Sequence, residues 1–293
     1  MRAAAILGLG CSGRNLSPFQ TDSSIEWRIG VPARADGVDI ILLFGGDGTI
    51  HRHLGALVKL ASPVLVVPTG SGNDFACSLG LGRVRESVAA WEQFCRGAKN
   101  VRTIDLGSIR PLGGASEELS SSTYFCCVAG VGLDGEVARR ANQLPRWLRG
   151  HGGYALSMLP TIFSFRPLPV KIFVPAQPSE WTVRSDQSTM VAAFANTPFY
   201  GGGMKVAPRA KMDDGLLDMC IVAAVSPLRL LRLFPSVYAG QHLGIREVEY
   251  FQAERVRVET EEPQDVYADG EFVCRTPVEV SAERGALNVV TVV

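Results

Sequence analysis

The chain has 293 residues, 29 basic and 29 acidic side chains and 46% apolar residues. That length and apolar share exclude a disordered tail and a disulfide-stapled miniprotein, and leave one large domain or two ordinary ones. The zero formal net charge gives no support to a general nucleic-acid binder, because phosphate-backbone affinity needs a basic surface. The cysteines are odd in number, with no C-x-x-C spacing and no paired histidine beside them. They read as reduced, mostly buried small apolar residues, and the chain as cytoplasmic. No stretch approaches the roughly 18 continuous apolar residues of a spanning helix, so no transmembrane segment is expected and any membrane contact would be from the surface.

In chain order, the short apolar run after Met1 reads as a first buried strand. Val38 to Phe44 (VDIILLF) has a buried-strand pattern and Ile50 to Leu60 helical spacing; Val64 to Val67 is strand-like and Val84 to Phe94 helical. This is the βαβα rhythm of a parallel, helix-covered sheet. Beyond Ile104 the texture changes to short β-rich runs: Tyr124–Val128, Val170–Val174, Thr189–Ala195, Leu216–Val222, Glu254–Glu259, Val278–Ser281 and Leu287–Val292. Helical interruptions fall at Gly153–Phe165 and Leu228–Gly240, and Pro111–Ser122 reads as an exposed hairpin loop. The expected fold class is α/β plus all-β: a parallel α/β domain over residues 1–104 and an antiparallel β-sandwich over residues 105–293.

Phe44-Gly45-Gly46-Asp47-Gly48-Thr49 lies directly between a strand and a helix. Glycines there permit positive φ and leave no Cβ in the way, so backbone N–H groups can face an anion at a helix N-terminus. Asp47 would add an acceptor and Thr49 a hydroxyl for a phosphate oxygen; the plainer reading is a tight turn with a helix cap. A second strand-loop-helix carries Pro68-Thr69-Gly70-Ser71-Gly72-Asn73-Asp74-Phe75-Ala76, where Asn73 or Asp74 caps a helix or touches a ligand. Loops after successive parallel strands share the carboxyl edge of a sheet, where nucleotides bind in open α/β folds. Further on come Asn196-Thr197-Pro198-Phe199-Tyr200-Gly201-Gly202-Gly203-Met204 and Ala207 to Asp218, whose Asp213-Asp214-Gly215 is a turn or a source of hard oxygen ligands. Tyr267-Ala268-Asp269-Gly270-Glu271 contains an ordinary Asp-Gly hairpin signal and makes Glu271 a candidate general base.

Together, GGDGT, PTGSGNDFA, NTPFYGGG, APRAKMDDGLLD and the late DGE, in order from about Val38 to Phe272, resemble the diacylglycerol kinase catalytic family, especially soluble bacterial lipid kinases and the related sphingosine and ceramide kinases. GGDGT also occurs in NAD kinases. The resemblance implies a nucleotide-binding α/β domain and a β-sandwich, with ATP held between them and Mg²⁺ as cofactor. It implies ATP contacts from Gly45, Gly46, Asp47, Gly48, Thr49 and Ser71, supported by Asn73 and Asp74. It implies a structural Mg²⁺ on the Lys211 carbonyl, the Asp214 carboxylate and the Leu216 carbonyl, with Glu271 accepting the lipid hydroxyl proton and Asp47 sharing the catalytic role. The chain departs from the family at Gly8-Leu9-Gly10-Cys11-Ser12-Gly13-Arg14-Asn15, where an Asn-Pro…Ser-Gly loop is usual, and at His51-Arg52-His53, where GGDGT is usually followed by Asn-Glu.

Arg139, Arg140, Arg146, Arg149, Arg166 and Lys171 fall in a stretch without an acid, interleaved with Trp147, Tyr154, Leu156, Met158, Leu159, Ile162, Phe163 and Phe165. This reads either as an interfacial lipid contact or as a core helix. The leading expectation is an ATP-dependent kinase of diacylglycerol or a related lipid, met at a membrane surface. The alternatives are an NAD-kinase-like enzyme for a soluble alcohol and a nucleotide-binding regulator without catalysis. The neutral total divides into +3 over residues 1–104 and −3 over residues 105–293, with nine acids between Glu247 and Glu271.

Overall fold

The computed structural model describes residues 1–33, 37–113, 122–143, 153–177 and 180–293. They divide into two compact units, Met1–Leu106 with Arg284–Val293, and Gly107–Glu283. The last ten residues therefore return to the first unit, whereas the sequence reading left them in the second domain.

In the first unit β1 (Arg2–Leu7) is followed by a short helix α1 (Gly13–Leu16), β2 (Glu26–Ile29), β3 (Ile40–Gly45), α2 (Asp47–Leu60), β4 (Val64–Pro68), α3 (Asp74–Ser78) and α4 (Val84–Cys95). The strands are parallel in the order β2, β1, β3, β4, with Ala3 opposite Ile40 and Ile41 opposite Val64. Every residue of β3 and β4 is buried, as expected of parallel strands covered on both faces, which is why they read as unbroken apolar runs. Helix α2 lays Ile50, Leu54, Leu57 and Leu60 inward at helical spacing. It stops at Ala61 in the left-handed conformation, φ 52°. Trp91 of α4 is buried against Phe19, to whose carbonyl its indole N–H donates at 2.9 Å. β2 was not anticipated from the sequence; it is a mostly exposed edge strand, without the apolar run that marks its neighbours.

β5 (Val101–Pro111) and β15 (Val278–Val290) give residues to both units. The second unit also contains β6 (Thr123–Phe125), β7 (Val128–Gly132), α5 (Leu133–Gln143), α6 (Gly153–Ser164), β8 (Leu168–Gln177), β9 (Glu180–Ala195) and β10 (Leu217–Ala223). Helices α7 (Pro227–Leu233) and α8 (Pro235–Ala239) follow, then β11 (Val248–Ala253), β12 (Arg255–Thr260), β13 (Asp265–Ala268) and β14 (Glu271–Arg275). All its pairings among the described residues are antiparallel. The first half of β9 pairs with β8 and its last residues with both β7 and β10, so one strand serves two neighbourhoods. Alternate residues such as Val170, Ile172, Phe194, Met219, Ile221, Val256, Val258, Val278 and Val280 form one buried cluster, the sandwich core.

Several boundaries differ from the sequence reading for local reasons. The helix expected over Leu228–Gly240 is two, because Pro235 has no N–H to carry a helix onward. The separate runs Val278–Ser281 and Leu287–Val292 are one strand, whose middle is masked in sequence by the polar Glu283-Arg284-Gly285. The run Tyr124–Val128 breaks at Cys126-Cys127, between β6 and β7. Residues 114–121 of the expected hairpin loop lie outside the described residues, although β5 and β6 on either side pair antiparallel. Only Cys126, Cys127 and Cys220 are buried; Cys77 and Cys95 are exposed, so "mostly buried" does not hold, and none of the seven cysteines is in a disulfide.

Candidate active site

In the first unit the two glycine-rich loops leave neighbouring strands β3 and β4 and touch each other. A Cβ on Gly70 would lie 2.5 Å from the Gly46 Cα, and one on Gly46 would lie 2.9 Å from the Gly70 Cα. A Cβ on Gly45 would lie 2.5 Å from the Cβ of Thr49. None of Gly45, Gly46, Gly48, Gly70 and Gly72 has positive φ. Of the two reasons for glycine there, positive φ is therefore not used, and the missing Cβ is: Gly45, Gly46 and Gly70 leave the space in which two backbones and the Thr49 side chain close up.

Asp47, at the start of α2, reaches across to the second loop. Its carboxylate accepts the N–H of Asp74 at 3.0 Å and that of Phe75 at 3.1 Å, capping α3 from a different helix. Asn73 holds the N-cap position of α3 with φ 56°, but its side chain makes no cap. Its amide oxygen instead accepts the Gly70 N–H at 3.0 Å and its amide nitrogen donates to the Gly70 carbonyl at 2.8 Å, closing the loop on itself. The capping role read for Asn73 or Asp74 therefore belongs to Asp47. Ser71 and its flanking glycines are exposed, Thr49 and Gly48 half-buried and Asp74 buried. The result is an open cradle beside the N-terminus of the 14-residue α2, whose dipole favours negative charge.

The departing residues lie alongside. The Arg52 guanidinium donates to the Gly48 carbonyl at 2.9 Å, bracing the first turn of α2. His51 and His53 are half-buried; burial, helped by the Arg52 charge, holds the His53 imidazole below its ordinary value. In the atypical first loop the Cys11 thiol lies 3.1 Å from the Thr69 hydroxyl, so that loop also leans on the second one.

In the second unit Lys211 and Asp214 line a polar cavity of about 380 Å³ with Arg209, Tyr250, Phe251 and Gln252. One Asp214 oxygen accepts the Leu216 N–H at 3.1 Å, so the DDG turn folds back on itself. Asp218 is fully buried and accepts from the Tyr250 hydroxyl at 2.5 Å and the Gln252 amide at 3.1 Å. Burial raises the Asp218 carboxyl above its ordinary range, and the Asp214 charge pushes in the same direction. Burial and the bond to Asp218 likewise raise the Tyr250 phenol. A hard-oxygen set beside mutually repelling carboxylates is chemistry that suits Mg²⁺.

Glu271 opens β14 and is half-buried. It follows a two-residue turn in which Asp269 (φ 50°) and Gly270 (φ 84°) both take the left-handed conformation. Asp269, read from sequence only as a turn former, is buried, and its carboxylate accepts the N–H groups of Cys126 at 2.9 Å and Cys127 at 2.8 Å. Cys126, Cys127 and Asp269 form a group with metal-ligating atoms. The carboxylate is already directed at backbone donors, so the group anchors the turn. Asp134 is a further acid at a strand-to-helix junction. It lies in the first turn of α5, which follows directly on β7, and a Cβ on Gly130 would lie 2.8 Å from its carboxylate. The strand-to-helix junction Gly130-Val131-Gly132-Leu133-Asp134 has the same glycine-and-acid texture as GGDGT and is the signal that marks it.

Of the basic, apolar stretch, Arg146, Arg149 and Trp147 lie outside the described residues, as do the side chains of Tyr154 and Leu156. Arg139 and Arg140 both bind Glu136, at 2.6 and 2.8 Å, and Lys171 pairs with Asp186 at 3.5 Å. Helix α6 divides its apolar residues: Ile162 is buried with Leu133, Val137 and Met190, whereas Leu159 and Phe163 are 51% and 58% exposed. The core reading of this helix thus holds for the face that carries Ile162, and the face that carries Leu159 and Phe163 is exposed. No helix among the described residues is long and apolar enough to cross a membrane.

A parallel α/β unit with a glycine cradle, followed by an antiparallel sandwich carrying acidic turns, is the architecture of the diacylglycerol kinase and NAD kinase folds. The diacylglycerol kinase catalytic domain model matches residues 17–109, and the YegS C-terminal NAD kinase beta sandwich-like domain model matches residues 127–291. A diacylglycerol kinase of Mycobacterium tuberculosis is 35% identical over 263 residues, covering 88% of this chain and 78% of that protein. The crystal structure of a diacylglycerol kinase from Bacillus anthracis superposes with a TM-score of 0.66 at 19% identity, covering 99% of this chain and 96% of that one. An NAD kinase from Archaeoglobus fulgidus, solved in complex with ATP, shares the fold at a TM-score of 0.54 and 15% identity, covering 100% of this chain and 94% of that one. The chain belongs to the diacylglycerol kinase catalytic family, and its class of activity is that of a lipid kinase.

Proposed function

We propose that the protein transfers the γ-phosphoryl group of ATP to the hydroxyl of diacylglycerol or a related lipid. The observation that carries this reading is the Asp47 bond to the amides of Asp74 and Phe75, which turns two glycine loops into one anion cradle. In this reading Gly45, Gly46, Gly48, Thr49 and Ser71 receive the phosphates, with Asp47, Asn73 and Asp74 holding the loops in shape. Backbone N–H groups and the α2 dipole favour the charge that builds on the transferring phosphoryl. Glu271 accepts the proton of the attacking lipid hydroxyl, which turns a weak nucleophile into a competent one for in-line displacement.

The Lys211 carbonyl, Asp214 carboxylate and Leu216 carbonyl would hold Mg²⁺, which supplies charge that offsets the Asp214 and Asp218 carboxylates. The exposed Leu159 and Phe163 beside Arg166 would meet the acyl and headgroup region of a membrane carrying the substrate. Incubation with Mg²⁺, γ-labelled ATP and vesicles containing diacylglycerol tests the proposal. Labelled phospholipid supports it; bound ATP with no labelled lipid supports a regulator instead.

A further inference from the structure

We propose that Asp269 is a positioning residue: its buried carboxylate, closed on the backbone N–H groups of Cys126 and Cys127, fixes the turn that presents Glu271. This rests on the reading of Glu271 as the base. Among the described residues β14, which carries Glu271, lies at the end of its sheet and pairs only with β13. Those two strands are four and five residues long; β13 is tied to β7 on its other side, whereas β14 at the edge has one neighbour. The turn that joins them immediately precedes Glu271, so the position of Glu271 depends on an anchor at that turn.

The Asp269 contacts supply it. Besides Cys126 and Cys127, the carboxylate faces the Val128 N–H at 3.3 Å and the Cys126 thiol at 3.4 Å. The Asp269 N–H donates to the Val128 carbonyl at 3.0 Å, continuing the β13–β7 ladder to the turn. Glu271 pairs directly with Ala268, so no free chain separates it from this anchor. The same Cys126-Cys127 segment is gripped from its carbonyl side. The Asn196 N–H donates to the Cys127 carbonyl at 2.8 Å and the Asn196 side-chain amide to the Cys126 carbonyl at 3.1 Å. Two peptide units thus join the Asp-Gly-Glu turn to the start of the glycine-rich Asn196–Gly203 segment. A turn alone needs only positive φ, which Asn or Gly adopts as readily; the carboxylate is required by the clasp.

The test compares Asp269→Asn and Asp269→Gly with wild type and Glu271→Gln in diacylglycerol vesicles. Both Asp269 variants keep the left-handed turn. The proposal expects turnover to fall about tenfold to a hundredfold, the loss that misplacement by an ångström brings, with the KM for ATP unchanged. Added formate should restore part of the Asp269→Gly turnover. Folded variants with wild-type turnover overturn the proposal. If Glu271→Gln is inactive while Asp269→Asn is fully active, the positioning role falls and the base stands; if Glu271→Gln turns over normally, the base reading itself has failed. Should the variants not fold, amide exchange on the unsubstituted protein decides. Protected Cys126 and Cys127 amides support the clasp, and exchange at the unstructured rate overturns it.

Discussion

Asp47→Asn separates a loop-joining carboxylate from one that serves chemistry alone. The two bonds to Asp74 and Phe75 are charge-assisted and cap α3. Asparagine keeps one acceptor oxygen but turns an NH₂ group toward the other amide, losing one bond and the charge. A lost hydrogen bond to a charged group costs about 1.5–3 kcal/mol. A central loss of about 2 kcal/mol corresponds to a roughly 30-fold change in an opening equilibrium. Native-state hydrogen exchange reads this site directly, without requiring two units to unfold together. The Asp74 and Phe75 amides should lose about 30-fold in protection, while amides of β8 and β12 in the second unit stay as they were. Unchanged protection at Asp74 and Phe75 would refute the argument that Asp47 joins the loops.

Gly70→Ala should damage the cradle without touching any ionisable group, because its Cβ would meet the Gly46 backbone at 2.5 Å. The expected cost is about 1–3 kcal/mol of stability together with weaker ATP binding by calorimetry, and an unchanged affinity would contradict it. His242 is buried, with a ring nitrogen 3.0 Å from the Val206 carbonyl, and burial holds its pKa below the ordinary value. Above the unfolded value of about 6.5 both states are neutral; as pH falls through that value the unfolded chain binds the proton more readily, so stability drops. A thermal midpoint that falls from pH 7.5 to 5.5 less steeply in His242→Asn than in wild type is expected, and equal slopes would refute it. Stripping Mg²⁺ with a chelator should lower the wild-type midpoint and leave Asp214→Asn unmoved. Saturation a hundredfold over Kd is worth about 2.7 kcal/mol, and an unmoved wild-type midpoint would remove the cation from this site.

The parallel unit was legible because its signals are local. Unbroken apolar runs marked β3 and β4, and the loops that follow each lie within a few residues of a strand end. What the sequence concealed was the partner of each acid. Asp47 offered an acceptor in the sequence, and nothing near it in the chain shows that amides 27 and 28 residues away bond to it. Asp269 looked like an ordinary turn former because its donors lie 142 and 143 residues back. The break at Cys126-Cys127 has the same origin: those peptide units bond sideways to Asp269 and Asn196, which no strand pattern reports. The return of Arg284–Val293 to the first unit was hidden for a related reason. A strand's composition records burial, and Val289 opposite Val64 looks like any other apolar pair.

The central claim is phosphoryl transfer to a lipid hydroxyl, and the direct measurement is a single assay with γ-labelled ATP, Mg²⁺ and a panel of vesicle-borne lipids beside soluble NAD. The account predicts label in the lipid phase, in diacylglycerol or a related lipid, abolished in Glu271→Gln while ATP binding persists. Label in NAD and in no lipid, or transfer undiminished by Glu271→Gln, would contradict it.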